Sequence, residues 1–221
     1  MSQTVFETAR KAMIDSQIKP NKIIDERVVS AFASTPREEF VPRALRDVAY
    51  IDEDLTLAGG RYIIEAMVMG RMLQALDLKP AQNILLVGAG TGYTAALLSQ
   101  LCASVIAIDN RNSAVEKTQE LLGKMEIGNV AVLKSKLTDG YPSEGPYDAI
   151  IIEGGVEVMP EELLSQLAPE GQCAAIWRTS GTAQGEASLW SRSGSGFSRR
   201  GLFNAQVPTL SEFKAKPGFV F

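Results

Sequence analysis

The stretch LLVGAGTGY at residues 85–93, with the apolar run VIAID that ends at Asp109, decides the fold of this chain. An apolar run at residues 84–87 stops at a turn that contains three alternating glycines, and a helical segment follows. Glycine allows positive φ angles and lets the backbone approach a ligand closely, as a tight turn between a strand and a helix requires. The pattern predicts a strand, a glycine turn, a helix and then a second strand that closes at Asp109.

Short apolar runs alternate with helical segments from about residue 83 to residue 178. The predicted strands are residues 84–87, 104–108, 130–133, 149–152 and 172–177. The predicted helices are residues 94–101, residues 112–125 and the run EELLSQL after Pro160. Strands that alternate with helices in this way form βαβ units around a mostly parallel sheet. We therefore predict an α/β fold with helices on both faces of a twisted sheet.

The two ends of the chain have different patterns. Residues 1–80 are mostly helical, with an amphipathic segment at 5–18, a second helix that Asp25 caps and a third helix at 67–78. Beyond residue 179 the chain is rich in Gly and Ser, and two short alternating runs around residues 194–196 predict a β-hairpin. We predict that residues 1–80 form a helical extension with a substrate loop, packed on a main domain of residues 81–221 within one folding unit.

Composition limits the classes of function. The chain has 221 residues, a net charge of −4 and a pI near 5.1. Nucleic acids and many membrane surfaces are anionic, so we expect this mildly acidic chain to bind neither. The chain contains no histidine, which excludes His-based triads and imidazole metal ligands. We expect a cytoplasmic protein without a metal site, as a monomer or weak homodimer.

Asp109 stands where a nucleoside-binding fold needs a carboxylate, about twenty residues after the glycine turn. There it can accept hydrogen bonds from ribose hydroxyls. A dinucleotide is an alternative ligand, but Tyr93 replaces the third glycine of GxGxxG. A second alternative is that the turn needs glycine only for its tight shape and binds no ligand. We predict S-adenosylmethionine as the cofactor and a Rossmann-like methyltransferase fold, a three-layer sandwich with an N-terminal helical extension and a C-terminal antiparallel hairpin.

Four sequence blocks, taken together, resemble the protein-L-isoaspartate O-methyltransferase family over roughly residues 10–178. They are IDERVVSAFASTPREEFVP (24–42), DLTLAGGRYIIEAMVMGRM (54–72), LLVGAGTGYTAALLS (85–99) and GPYDAIIIEGG (145–155). The resemblance implies methyl transfer from S-adenosylmethionine to the α-carboxyl group of isoaspartyl residues in damaged proteins. It also implies a substrate site formed by the N-terminal region and the loop before the third helix.

The turn and the resemblance together predict the site residues. The predicted cofactor-binding residues are Gly88, Ala89, Gly90, Gly92, Tyr93, Asp109, Asn110, Lys136, Leu137 and Glu153. Glu153 follows the fourth predicted strand, where it either faces the methyl-transfer site or caps the next turn. The predicted catalytic residues are Arg61 and Ile64, which lie in the predicted substrate loop. Arg61 either binds a substrate carboxylate bidentately or is an ordinary surface arginine.

Three positions depart from the pattern of the family that the chain resembles. Ile64 stands where the family has a serine hydroxyl, and it can donate no hydrogen bond. Leu86 replaces an acidic residue two positions before the first glycine, and Lys136 replaces an acid near the adenine. Three hypotheses follow: a divergent isoaspartyl methyltransferase, a methyltransferase with another substrate, or a non-catalytic relative with weak or no donor binding.

Overall fold

The computed structural model describes residues 3–179, 184–194 and 196–215, and a seven-stranded sheet forms its centre. Its strands are β3 (Asn83–Val87), β4 (Ser104–Asp109), β5 (Val130–Lys134), β6 (Tyr147–Val156), β7 (Leu167–Arg178), β8 (Gly185–Ser193) and β9 (Gly196–Ala205). The spatial order is β5-β4-β3-β6-β7-β8-β9. The pairs from β5 to β7 are parallel, and β8 and β9 add antiparallel pairs. The predicted parallel sheet with its C-terminal hairpin is confirmed.

A small antiparallel pair of strands precedes this sheet in the sequence and carries the predicted substrate loop. Its strands are β1 (Leu55–Leu57) and β2 (Arg61–Ile63). The α-helices are α1 (Gln3–Met13), α2 (Glu26–Ser34), α3 (Ala66–Leu76), α4 (Tyr93–Leu98), α5 (Asn112–Lys124) and α6 (Glu161–Leu164). The carboxylate of Asp25 accepts a hydrogen bond from the Arg27 amide, so the predicted cap of α2 is confirmed.

Several elements differ in length from their predictions. The helices α4 and α6 are shorter than predicted, and α6 has only four residues. The strand β6 is longer and includes Glu153, which therefore lies within the strand and not after it. The cause is tertiary, because the end of β6 pairs with β7 after a shift in register, and Gly155 also bonds to residues 208–210 far along the chain.

Two apolar clusters pack against the sheet. Alternate residues of a strand point to opposite faces, so Leu86 lies in one cluster and Leu85 in the other. The first cluster includes side chains from α1, α2 and α3, so the N-terminal region and the sheet share a core. Over residues 3–179, 184–194 and 196–215, the structure has no helix long and apolar enough to cross a membrane.

Candidate functional site

The glycine turn between β3 and α4 has the backbone shape that its sequence predicts. Gly88, Gly90 and Gly92 have φ angles of 85°, 56° and 90°, which L side chains rarely adopt. The amides of Gly88 and Ala89 donate to the Ile108 carbonyl at 3.0 and 3.1 Å, and this anchors the turn at the carboxyl end of β4. The turn is therefore held at the sheet edge where α/β folds bind ligands.

Asp109 ends β4 beside this turn, and its carboxylate is already fully hydrogen-bonded. Its Oδ1 accepts from the Arg111 amide and the Arg111 Nε, both at 3.0 Å. Its Oδ2 accepts from Arg61 Nε at 3.0 Å and from Arg111 Nη2 at 3.1 Å. A carboxylate has about four acceptor sites. With the residue only 1% exposed, no acceptor site remains for a ribose hydroxyl in this conformation.

Arg61 lies inside the protein, and the alternative of a surface arginine is wrong. Its side chain is 0% exposed. Besides Asp109, its Nη2 donates to Asn110 Oδ1 at 2.9 Å and to Glu212 Oε1 at 2.8 Å. Asn110 in turn donates from Nδ2 to the same Glu212 oxygen at 2.7 Å. In this conformation the guanidinium therefore binds two carboxylates of its own chain.

The ionisation of this cluster follows from competition between burial and charge. Burial alone would raise the pKa of Asp109, but the hydrogen bonds and charges of Arg111 and Arg61 lower it below its ordinary value. Burial likewise opposes ionisation of Glu212, and the Arg61 guanidinium holds the pKa of that carboxyl below its usual range. Both carboxylates are therefore ionised at neutral pH, with Arg61 between them.

Residues 207–215, here called the C-terminal segment, cover the first glycine of the turn. A Cβ placed on Gly88 would lie 3.5 Å from Leu210 Cδ1 and 3.8 Å from Leu137 Cδ1. Leu210 is 0% exposed, and a Cβ on Gly154 would approach its Cγ to 2.5 Å. Glycine at position 154 thus allows Leu210 to fit against β6. The space above the first glycine of the turn is filled by leucine side chains.

Backbone hydrogen bonds fix the C-terminal segment to β6. The Gly155 amide donates to the Pro208 carbonyl at 2.9 Å, and the Leu210 amide donates to the Gly155 carbonyl at 3.0 Å. The Glu157 amide donates to the Phe213 carbonyl at 3.0 Å. These hydrogen bonds resemble those of one more strand paired with β6, and they position Leu210 and Glu212 toward the turn.

Glu153 is the second buried acid of the site. It is 1% exposed, and its Oε1 accepts a hydrogen bond from the Thr94 hydroxyl. Its Oε2 has no hydrogen-bond partner in the described part of the chain. Burial, only partly offset by the Thr94 hydrogen bond, raises the pKa of Glu153 to about 8. The group is therefore mostly protonated at neutral pH.

The remaining predicted site residues lie apart from this cluster, with one exception. Leu137 is 0% exposed and lies beside Gly88, whereas the side chain of Lys136 is 77% exposed and pairs with Asp139 at 3.5 Å. The side chain of Ile64 is buried in the first apolar cluster, which also contains side chains of α1, α2 and α3. The ring of Tyr93 also lies in that cluster, edge-on to Phe40 with ring centroids 5.5 Å apart.

A cavity of about 340 Å³ lies next to the turn but does not reach the carboxylate cluster. Gly90, Thr91 and Arg111 contribute to its lining, whereas Gly88, Asp109 and Glu153 do not. Sequence reasoning missed Leu210 and Glu212 entirely. No local pattern could have indicated them, since Glu212 lies 151 positions after Arg61.

Comparisons with known proteins place this chain in a family. The family model for "Protein-L-isoaspartate(D-aspartate) O-methyltransferase (PCMT)" matches residues 8–178. A relative named protein-L-isoaspartate O-methyltransferase 1, from Rhodopseudomonas palustris (strain HaA2), is 35% identical over 169 residues, which cover 76% of this chain and 69% of the relative. A second relative, named protein-L-isoaspartate O-methyltransferase, from Roseiflexus castenholzii, is 38% identical and covers 76% of each chain.

Two solved structures share the fold. One, named protein-L-isoaspartate O-methyltransferase, superposes with a TM-score of 0.81 at 22% identity, over 91% of this chain and 66% of that chain, just under two thirds. The other, described as a beta-aspartate methyltransferase from Plasmodium falciparum in complex with S-adenosyl-L-homocysteine, has a TM-score of 0.72 at 20% identity and covers 92% and 98% of the two chains. The family match ends at residue 178, so the C-terminal segment lies outside it.

Proposed function

Because the chain belongs to the protein-L-isoaspartate O-methyltransferase family, we propose that it methylates the α-carboxyl group of isoaspartyl residues in damaged proteins. The proposed methyl donor is S-adenosylmethionine. The observation that carries the proposal is the extent of the family match. It includes both the N-terminal region expected to bind substrate and the glycine turn expected to bind the donor.

The residue types of the chain are compatible with this reaction. A carboxylate is ionised at neutral pH and acts as the nucleophile without a general base. The reaction then depends mainly on orientation, which contributes about 7–11 kcal/mol in well-aligned systems. A chain without histidine can therefore supply what is needed. Ile64 lacks the hydroxyl of the family pattern, and loss of one donor at an anionic site costs about 2.7–4 kcal/mol.

The side chains of the described conformation do not fit the donor. The backbone of the turn is suitable, but all acceptor sites of Asp109 are taken by Arg61 and Arg111. Leu210 fills the space over Gly88. We therefore derive no catalytic step from this conformation, and the proposed activity requires that Arg61 and the C-terminal segment move.

The same observation favours a second candidate function. The buried cluster of Arg61, Asp109 and Glu212 is also what a non-catalytic family member would have if its own side chains had permanently replaced the donor. Such a protein would retain the fold for binding damaged proteins without methylating them. The two candidates differ in whether the methyl group of the donor is transferred to the substrate.

A labelling assay tests the proposed function. The protein is incubated with tritium-labelled S-adenosylmethionine and an isoaspartyl peptide, and the control is the same peptide with a normal aspartyl residue. We expect base-labile label in the isoaspartyl peptide only. Absence of label, with donor binding measured separately by calorimetry, would favour the non-catalytic candidate. Equal labelling of the two peptides would indicate a different methyl acceptor.

We also propose the cytoplasm as the compartment and a monomer or weak homodimer as the assembly. Both cysteines, Cys102 and Cys173, are free and buried, which is compatible with a reducing compartment. Size-exclusion chromatography with light scattering at several concentrations tests the assembly, and a stable higher oligomer would contradict it.

A further inference from the structure

We propose that the C-terminal segment, residues 207–215, acts as an intramolecular occupant of the donor site, so that segment and donor exclude each other. The proposal rests on the proposed function only in taking the glycine turn as the donor site. It concerns the state of the chain before any donor binds.

The first argument is apolar packing over the turn. Leu210 is completely buried between Gly88 and Gly154, two positions without a side chain. A Cβ on Gly155 would lie 2.9 Å from the Val207 carbonyl oxygen and 3.0 Å from Thr209 Cα. The segment thus occupies space left by the two adjacent glycines of β6 and by Gly88 of the turn.

The second argument is charge. Glu212 accepts hydrogen bonds from Arg61 Nη2 at 2.8 Å and from Asn110 Nδ2 at 2.7 Å. Its carboxylate compensates the part of the buried guanidinium that Asp109 does not contact. Burying Arg61 against Asp109 is favourable only when the remaining donors of the guanidinium are also satisfied. Glu212 therefore helps to hold Arg61 on the carboxylate that the ribose would need.

The third argument is position in the sequence. The family match covers residues 8–178 and the segment begins almost thirty positions later. The closure thus comes from a part of the chain that lies outside the match to the family model. A donor that binds only the open form has an apparent affinity reduced by the fraction of open molecules. Weakening the contacts that hold the segment in place must therefore increase the affinity for the donor.

The test measures binding of S-adenosylhomocysteine by calorimetry to the full chain and to three variants. Glu212→Gln removes the charge that holds Arg61 with little change of shape, and Leu210→Ala removes the packing over Gly88. Glu186→Gln is the matched control, because Glu186 also pairs with an arginine, Arg199 at 2.8 Å, but on the exposed hairpin.

We expect Glu212→Gln and Leu210→Ala to bind at least about tenfold more tightly than the unaltered chain, about 1.4 kcal/mol. Glu186→Gln should bind like the unaltered chain. Equal affinity in all four proteins would overturn the proposal, and so would absence of binding in all four at millimolar ligand. If Leu210→Ala does not fold by circular dichroism, Glu212→Gln alone decides the result.

Hydrogen exchange locates the change. In the Glu212→Gln variant, saturating S-adenosylhomocysteine should speed hydrogen exchange at the Leu210 and Phe213 amides. In the structure these amides donate to the carbonyl oxygens of Gly155 and Leu210, respectively. Unchanged exchange there would mean that the ligand binds without displacing the segment, contrary to the proposal. Tighter binding without methylation of the isoaspartyl peptide would refute the proposed function and leave this inference intact.

Discussion

Replacing Arg61 with methionine should strongly destabilise the protein. The substitution retains the apolar stem of the side chain and removes the guanidinium. The guanidinium is completely buried and donates to Asp109, Asn110 and Glu212 at 2.8–3.0 Å. Its removal leaves two carboxylates without their shared cation.

The structure sets the magnitude of this effect. Removing one member of a buried ion pair costs about 3–5 kcal/mol, because its partner remains buried and uncompensated. Asp109 retains its bonds to Arg111, and the Glu212 side chain is 20% exposed, so we expect the lower end, about 3 kcal/mol. For a chain of this size that corresponds to a fall in Tm of about 6–12 °C.

Urea unfolding followed by tryptophan fluorescence measures this free energy. Arg46→Met is the matched control, because Arg46 makes a 3.0 Å pair with Glu39 in which both side chains are at least 39% exposed. Such exposed pairs contribute at most about 1 kcal/mol. Arg61→Lys should give an intermediate loss, since it keeps the charge but not the planar fork. If Arg61→Met costs no more than Arg46→Met, the buried cluster does not exist as described.

Three further predictions concern other parts of the fold. Glu153→Gln should flatten the dependence of stability on pH. The pKa of Glu153 in the folded protein, about 8, lies above its value in the unfolded chain. The unaltered protein therefore loses up to about 5 kcal/mol of stability as the pH rises from about 4 to 8, and the variant should not. Urea unfolding at pH 5 and pH 9 checks this, and parallel pH profiles for the two proteins would contradict it. Asp25→Ala should cost about 1 kcal/mol by removing the cap of α2, whereas the exposed Asp139→Ala should cost less than about 0.5 kcal/mol. Equal losses in thermal melts would refute the capping role. Gly154→Ala should destabilise by more than about 1 kcal/mol, because the added Cβ would meet Leu210 at 2.5 Å, and Gly123→Ala, where the Cβ meets nothing within 4 Å, should not.

Local patterns predicted most of the central architecture. The strand at 84–87 is observed as Asn83–Val87, and the strand at 104–108 as Ser104–Asp109. These segments are apolar on both faces because helices cover both sides of a parallel sheet, so the sequence alone carries the signal. Strand lengths were less predictable, since the end of β6 pairs with β7 after a shift in register, and Gly155 also bonds to residues more than fifty positions away.

The candidate site was predictable only in part. The sequence placed Asp109 beside the glycine turn, because β4 ends at the same edge of the sheet at which the turn follows the neighbouring strand β3. It gave no indication of which groups would satisfy the Asp109 carboxylate. Arg61 is 48 positions earlier in the chain, and its contact depends on how the β1–β2 pair packs against the sheet.

By itself, the sequence determined the α/β fold, the glycine turn at 88–92 and the membership of the chain in its family, because periodicity, turn chemistry and motif order are local properties. Only the tertiary structure decided that the first glycine of the turn is covered. Leu210 and Glu212 reach it because the C-terminal segment pairs with β6 through backbone hydrogen bonds, which have no side-chain signature. The state of the proposed donor site thus depends on contacts between residues more than a hundred positions apart, and hydrophobic burial and charge compensation select those contacts only in the folded chain.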